Sequence, residues 1–273
     1  MKKIYSRLLV VLAVLILSSC KKEDKTPPPT AEFTAEAANL AVSFKAIATN
    51  VRYFSWDFGD NSKISSDMSP SHFYENEGTY TVTMTATGRD GSTLSSSKQV
   101  SVTAPVNYIQ GGKFETTDDE AKWTKFAINA NNNIAWSRAN GKMIASGGNG
   151  GHAGIYQAIQ VEANVNYQFS MLVSGSGATD TWFEVYFGTS LPVAGSDYSQ
   201  GGKLFGLSTW DGCGGSAFNG NIASIGCTGS LKDKNGMITF TQSGTVYLVI
   251  KTGGASLGAG GIAIDNVTLT KAE

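Results

Sequence analysis

The chain has few of the residues on which several classes of function depend. Only two of its 273 residues are histidine, His72 and His152, only 16% are charged, and the formal net charge is −1. No block of five like charges occurs, which disfavours a nucleic-acid binder that neutralises phosphates. Two histidines far apart in the sequence also leave little for a histidine base or a histidine-rich transition-metal site.

Long helical patterns are lacking as well, which disfavours a helix bundle or a coiled coil. Glycine is abundant instead, with 32 residues and no collagen period, against a usual frequency of about 7%. Short runs rich in β-branched and aromatic residues alternate with turn signals along most of the chain. Together these features predict an all-β protein with many turns.

The first residues have the pattern of an export signal. Lys2, Lys3 and Arg7 precede a ten-residue apolar run, which is too short to span a bilayer as a helix. The following LSSC sequence, which ends at Cys20, resembles the signal of bacterial lipoproteins. The resemblance implies a signal peptide over residues 1–19 and a lipid on Cys20. The alternative is an ordinary signal peptide in which Cys20 is incidental.

Residues 20–29 are predicted to be a tether. The charged stretch Lys21–Asp24 resembles the surface-export signal of Bacteroidota lipoproteins, although a plain solvated tether remains the alternative. Pro27–Pro29 then forms a stiff spacer. We therefore expect an outer-membrane lipoprotein that is exposed at the cell surface.

Cysteine use is consistent with export. With Cys20 taken by lipid, Cys213 and Cys227 remain as an even pair, and in an oxidising compartment such a pair predicts a disulfide. A metal site built on the same pair lacks its other ligands nearby.

Residues 30–104 carry the motifs of a known family. Phe54–Asp60 reads FSWDFGD and His72–Met84 reads HFYENEGTYTVTM, which resembles the WDFGDG, H-x-Y and GTYTVT pattern of PKD domains. Asn61 stands where that pattern has its last glycine, and asparagine tolerates the left-handed conformation of a turn.

The PKD resemblance implies an immunoglobulin-like sandwich that serves as a spacer without catalysis. Trp56 is then a core residue rather than a ligand-binding one. Asp57 and Asp60 are expected to shape a turn rather than to bind a metal ion.

Residues 105–273, which follow the boundary at Pro105, are longer than an immunoglobulin-like domain needs. Their glycine-rich segments 146–154, 174–179 and 253–261 are predicted to be loops. The size and the number of strands predict a β-jelly roll with eight or more strands. The strand signals are Ile155–Val161, Asn166–Val173, Trp182–Phe187, Met237–Thr241, Val246–Lys251 and Ile262–Thr270.

One strand offers a candidate ligand platform. Side chains alternate along a strand, so Trp182, Glu184 and Tyr186 share the face opposite to the apolar Phe183 and its neighbours. Aromatic rings can stack on the C–H face of a pyranose while a carboxylate binds its hydroxyls, which predicts a glycan site. The alternative is that loops cover this face and that the aromatics are ordinary core residues.

Three other tryptophans are further candidates for stacking on a sugar. Trp210 lies in the loop that the Cys213–Cys227 disulfide would close and stiffen. Trp136 is a second candidate for binding glycan. Trp123, close to the start of the domain, is more typical of a core residue.

The second domain also resembles carbohydrate-binding modules of the family 4/9/22 kind. The resemblance rests on Asn107–Glu115, on Trp123 and on the closing segment Gly261–Leu269 with its IDNV sequence. It implies a structural calcium ion held by Glu115 and Asp265, whose oxygen donors suit Ca²⁺. The alternative is that Asp265 only makes a local turn or bulge contact.

The combination of anchor, PKD spacer and glycan-binding jelly roll resembles surface glycan-binding proteins of Bacteroidota polysaccharide-utilisation systems. It implies non-catalytic capture of a polysaccharide, with a laminarin-like β-glucan as the best candidate, for a neighbouring transporter and enzymes. An adhesin with a protein partner is the alternative. A glycoside hydrolase is less favoured, because Glu184 has no carboxylate partner on its strand.

Overall fold

The computed structural model describes residues 27–131 and 133–272. The predicted signal peptide, Cys20 and the tether up to residue 26 lie outside the described residues. The chain divides into two compact units between Ala104 and Pro105. The regular secondary structure of both units is almost entirely strand, which confirms the all-β prediction. No helix within the described ranges is long and apolar enough to cross a membrane.

The first unit is a sandwich of two antiparallel three-stranded sheets, with strand orders β1-β2-β4 and β3-β5-β6. Alternating burial along β2 and β5 turns one side of each sheet toward the core. Its strands are β1 Glu32–Ala38, β2 Ala41–Ile47, β3 Val51–Asp57, β4 Ser71–Phe73, β5 Gly78–Gly88 and β6 Thr93–Val102.

Trp56 forms the centre of the core of the first unit. It is fully buried, and the rings of Phe33 and Phe44 pack on it with centroids 5.2 and 5.5 Å away. Its indole Nε1 donates a hydrogen bond to the carbonyl oxygen of Asp67 at 2.8 Å. The only polar atom of the side chain is therefore satisfied, and Trp56 is a core residue.

The acidic residues after Trp56 shape the adjoining turn. The Asp57 carboxylate accepts a hydrogen bond from the Gly59 backbone at 2.9 Å, and the Asp60 carboxylate accepts one from the Ser62 backbone at 3.1 Å. Asn61, which lies between Asp60 and Ser62, is in the left-handed region with φ of 63°. These local bonds are the ones that asparagine and aspartate make in turns.

The second unit contains two short helices, α1 Thr117–Ala121 and α2 Ile222–Ile225, and a 3₁₀ turn at Thr209–Asp211. Ten strands make up the rest of its regular structure among the described residues. They are β7 Thr124–Ala127, β8 Ile134–Ala139, β9 Lys142–Val161, β10 Asn166–Gly175, β11 Thr179–Gly188, β12 Lys203–Ser208, β13 Phe218–Asn221, β14 Met237–Thr239, β15 Gly244–Ser256 and β16 Ile262–Lys271.

Strand β9 belongs to two sheets. The part after its glycine-rich middle pairs with β7 and β15, and β15 continues to β11 and β12; we call this the front sheet. The part before it pairs with β8 and β16, which leads on to β10, β13 and β14; we call this the back sheet. The second unit is thus a two-layer sandwich whose sheets share one long strand.

The middle of β9 corrects one prediction. Residues 146–154 were expected to be a loop, but they continue the strand from the back sheet into the front sheet. Gly147 has φ of 111°, and a Cβ atom there would overlap the carbonyl oxygen of Asn133. Glycine is needed at this position because the backbone turns where a side chain has no room.

The main core lies between the two sheets. Phe183 and Val185 of β11 and Phe169 of β10 are fully buried within it, together with aliphatic side chains from β9, β15 and β16. The alternation along β11 therefore turns its apolar residues inward, as the sequence predicted. The opposite side of the front sheet, which we call the front face, carries Trp182, Glu184 and Tyr186.

Candidate functional site

An ion-pair network centred on the buried Lys251 occupies the middle of the front face. The Lys251 ammonium lies 3.2 Å from the Glu184 carboxylate and 2.6 Å from that of Asp197, and its side chain is only 2% exposed. Lys203 also contacts Glu184 at 3.2 Å. Two cations and two anions leave the network without net charge.

The same lysine joins the network to the aromatic residues of β11. Its Nζ lies 5.0 Å from the ring centroid of Trp182 and 4.8 Å from that of Tyr186, which is cation–π geometry. The Tyr186 hydroxyl donates to Glu184 at 2.9 Å. Burial, followed by the charge of Glu184, raises the pKa of Tyr186, so the phenol remains a donor. Glu184 is therefore held by three protein donors.

A segment that we call the covering loop, residues 189–202, crosses the middle of the front face. The backbone N–H of Gly195 donates to the carbonyl of Ala127 on β7 at 2.9 Å. Tyr198 packs edge-on against Tyr186 with ring centroids 6.0 Å apart. Burial raises the pKa of Tyr198 to about 12. Tyr186 is consequently 6% exposed and its ring face is covered, so it follows the alternative in which a loop encloses the aromatic.

Trp182 packs against the hydrophobic cluster that includes Tyr186 and Tyr198, but it remains partly exposed. The imidazole of His152 on β9 meets it edge-on, with centroids 5.1 Å apart. Both rings lie over Gly253 of β15, where a Cβ atom would come within 2.6 Å of the Trp182 ring. We call these three residues the Trp182 corner. Glycine at position 253 is needed for this close approach.

Trp210 is the most exposed tryptophan of the second unit, with 63% of its surface accessible. It lies in the 3₁₀ turn that follows β12. Thr209 beside it accepts a hydrogen bond from the backbone of Thr181 at 3.0 Å, which ties this turn to the residue before Trp182. The two tryptophans are thus placed at the same end of the front sheet.

The predicted disulfide between Cys213 and Cys227 is present. Cys213 lies against the end of β12, where its backbone N–H donates to the carbonyl of Ser208 at 3.1 Å. The Ser208 hydroxyl in turn accepts from the backbone of Asp211 at 3.3 Å. Trp210 lies three residues before the loop that this crosslink closes, and not within it as the sequence reading expected. The bonds at Ser208 and Cys213 hold the turn that carries Trp210 against the end of β12.

Breaking this crosslink should lower stability measurably. For a loop with a sequence separation of 14, chain entropy predicts that changing both cysteines to serine lowers the free energy of unfolding by about 3 kcal/mol. Thermal unfolding of the wild type and of the Cys213→Ser, Cys227→Ser variant measures the loss. Reductant should lower the melting temperature of the wild type and leave that of the variant unchanged. Equal melting temperatures would contradict this expectation.

Trp136 and Trp123 do not offer their rings to a ligand. Each is 5% exposed and belongs to the core between the sheets. Trp136 on β8 lies directly opposite Ala145 of β9, and its alternating strand turns it inward. The expectation that Trp136 binds glycan is therefore not supported by its position, and Trp123 is a core residue as anticipated.

The two carboxylates named for calcium have local contacts. The Glu115 carboxylate lies against Gly141, at 3.1 Å from where a Cβ atom would be. Asp265 accepts a hydrogen bond from the backbone of Asn266 at 2.6 Å. No group of three or more His, Cys, Asp or Glu side chains suited to a metal ion occurs in residues 27–131 and 133–272. Backbone carbonyl oxygens also bind Ca²⁺, and the calcium ion stays a prediction.

Sequence reasoning did not single out Lys251, His152 or the covering loop. Side chains alternate along a strand, so Lys251 lies on the same face of β15 as Tyr247. This alternation alone could have placed Lys251 on the face opposite to the core. His152 lay within a segment predicted to be a loop, so no face could be assigned to it. For Tyr198 and Asp197, nothing in the sequence indicates that their loop folds back across the sheet.

Comparison with known proteins identifies the first unit. Residues 26–104 match the family model described as PKD domain. The structure of the PKD1 domain of Vibrio anguillarum Epp is 30% identical, and the match covers 30% of this chain and 100% of that one with a TM-score of 0.28.

Solved structures similar to a larger part of the chain include carbohydrate-binding modules. One, described as showing promiscuous specificity in the β-sandwich superfamily, is 18% identical and covers 90% of this chain and 100% of its own, with a TM-score of 0.40. Another is TmCBM61 in complex with β-1,4-galactotriose, which is 16% identical over 61% of this chain and 99% of its own, with a TM-score of 0.30. At these identities, residue roles cannot be transferred to this chain.

Proposed function

We propose that this chain, whose residues 26–104 belong to the PKD domain family, binds glycan through its second unit without cleaving it. The observation that carries the proposal is the Trp182 corner together with the exposed Trp210 at the same end of the front sheet. Tryptophan has a large apolar ring face and one donor, which suits a sugar ring with its apolar C–H face and its hydroxyls. The rigid strands and the 3₁₀ turn next to the disulfide pre-organise these rings.

The charge distribution supports an uncharged glycan. Lys251 and Lys203 are balanced by Glu184 and Asp197, so the ion-pair network beside Trp182 has no net charge. A β-glucan of the laminarin type fits this neutral aromatic surface. So do other neutral polysaccharides, and a panel of polymers has to decide among them.

The contacts of Glu184 argue against a hydrolase. Glycosidases need two carboxylates that flank the scissile bond. Here Glu184 is bound by Lys203, Lys251 and Tyr186. A second carboxylate, that of Asp197, also pairs with Lys251. Glu184 and Asp197 thus pair with one ammonium group, which fits an ion-pair network better than an acid and a nucleophile.

The cellular role is part of the same proposal. The export signal with Cys20, the charged stretch after it and Pro27–Pro29 support a lipoprotein tethered to the outer membrane and exposed at the cell surface. The PKD domain then acts as a spacer that holds the second unit away from the membrane. Polysaccharide captured there would be passed to a neighbouring transporter and degrading enzymes.

Separate fragments test which unit binds. Residues 30–104 and 105–273 are run through native gels that contain laminarin, lichenan, galactan, mannan or xylan. We expect at least one polymer to retard the second fragment and none to retard the first, because the surface aromatics described above belong to the second unit. Release of reducing sugar is measured in parallel and should stay at background. Retardation of the first fragment alone would contradict the assignment, and no retardation of either would favour an adhesin with a protein partner.

A further inference from the structure

A second pair of aromatic residues lies on the front face, away from the Trp182 corner. Tyr156 of β9 and Tyr247 of β15 are both partly exposed, and their rings meet edge-on with centroids 6.1 Å apart. Within the described residues, neither phenol hydroxyl makes a hydrogen bond. These polar groups are therefore free to bind a ligand.

The neighbours of this pair are small or neutral. Directly opposed residues of paired strands share a face, and Tyr247 lies opposite the exposed Ala158. In the next position on the same face, the Gln160 amide donates to the Thr245 hydroxyl at 2.8 Å, and both residues are exposed. None of these five side chains carries a charge.

The pair is separated from the Trp182 corner by the covering loop. Tyr247 and Gly253 lie on the same strand, six residue steps apart, which corresponds to about 20 Å at ~3.3 Å per residue. Tyr198 of the covering loop packs at the level of Tyr186, between these two positions. A short sugar at one position therefore does not reach the other.

Rings, free hydroxyls and a neutral amide on rigid strands match the chemistry of a sugar ring. The apolar C–H face of a pyranose can pack on a tyrosine ring, and its hydroxyls can exchange hydrogen bonds with phenol, amide and hydroxyl groups. We propose that Tyr156 and Tyr247 form a second glycan subsite, and that a long neutral polysaccharide engages it together with the Trp182 corner. This inference rests on the proposed function. It adds that the ligand is a polymer long enough to reach both subsites.

Two subsites predict that polymers bind more tightly than short sugars, because the second contact is intramolecular once the first has formed. The full chain is tested with the polymer from the gel panel that retards it most and with the trisaccharide of the same polymer. Ala158→Arg places a long charged side chain beside the open side of Tyr247 without removing a core group. We expect it to weaken polymer binding at least tenfold and to lower trisaccharide stoichiometry from two to one by calorimetry.

Matched variants make the result decisive. Leu172→Arg adds the same side chain at an exposed position of the back sheet, where Leu172 is 39% exposed, and should change nothing. Tyr247→Ala should reproduce the loss seen with Ala158→Arg, and its melting curve shows whether it is folded.

The outcomes separate this inference from the proposed function. Unchanged polymer affinity in both Ala158→Arg and Tyr247→Ala overturns the second subsite, while loss of binding in Trp182→Ala would keep the proposed function. Normal polymer binding by Trp182→Ala overturns the two-subsite arrangement. A wild-type chain that binds no polymer of the panel overturns both.

Discussion

Replacing Lys251 by alanine is expected to lower the free energy of unfolding of the second unit by about 3 kcal/mol, which corresponds to a fall of about 6–12 °C in its melting temperature. The ammonium is 2% exposed and pairs with Glu184 and Asp197. Removing one partner of a buried ion pair leaves the other without compensation. The cost stays at the low end of the range for such changes because Glu184 keeps Lys203, and because Asp197 is 65% exposed and can be solvated.

Lys203→Ala is the matched control for this prediction. Lys203 contacts the same carboxylate at the same 3.2 Å, but its side chain is 31% exposed. A pair of this exposure contributes about 1 kcal/mol or less. Lys251→Met keeps much of the side-chain volume but removes the charge. It should therefore lower the free energy of unfolding about as much as Lys251→Ala does. Similar losses in Lys203→Ala and Lys251→Ala, measured by thermal and urea unfolding, would show that burial does not set the cost.

The alternation along β11 shows how much of the site the sequence could predict. Side chains on successive positions of a strand must point to opposite faces, so the grouping of Trp182, Glu184 and Tyr186 followed from the pattern alone. Whether that face is open depends on the covering loop, which is anchored by Gly195 and Asp197 to strands distant in sequence. No local pattern reports such a contact, and the burial of Tyr186 could not be predicted.

The β9 strand shows the same limit for the fold. Its second half was predicted from its apolar residues, but its middle and first half were not, because glycine weakens a strand and usually marks a loop. The reason for the glycines is tertiary: the backbone passes between two sheets at a point where Gly147 has no room for a side chain. Trp136 was misassigned because residues 134–139 were not recognised as a strand, although the apolar Ile134 and Trp136 alternate there with small residues.

Trp182→Ala is expected to have the largest effect on binding. A stacked aromatic anchor commonly contributes more than 2 kcal/mol at an interface, so affinity for the retarding polymer should fall about 30-fold or more. Stability should fall by only about 1–2 kcal/mol, through the lost cation–π contact with Lys251 and lost packing, against about 3–5 kcal/mol for a fully buried tryptophan. Calorimetry and thermal unfolding on one sample measure both quantities.

Two controls show whether the Trp182 effect is specific to its site. Leu172→Ala removes an exposed apolar side chain from the back sheet and should leave affinity unchanged. Trp210→Ala, in which a 63% exposed ring is removed, should change stability by less than about 0.5 kcal/mol. If it weakens binding as Trp182→Ala does, the glycan contacts both β11 and the 3₁₀ turn after β12. A Trp182→Ala protein that melts much earlier, yet binds as the wild type while folded, would instead make Trp182 a structural residue and remove the glycan site from this end of the sheet.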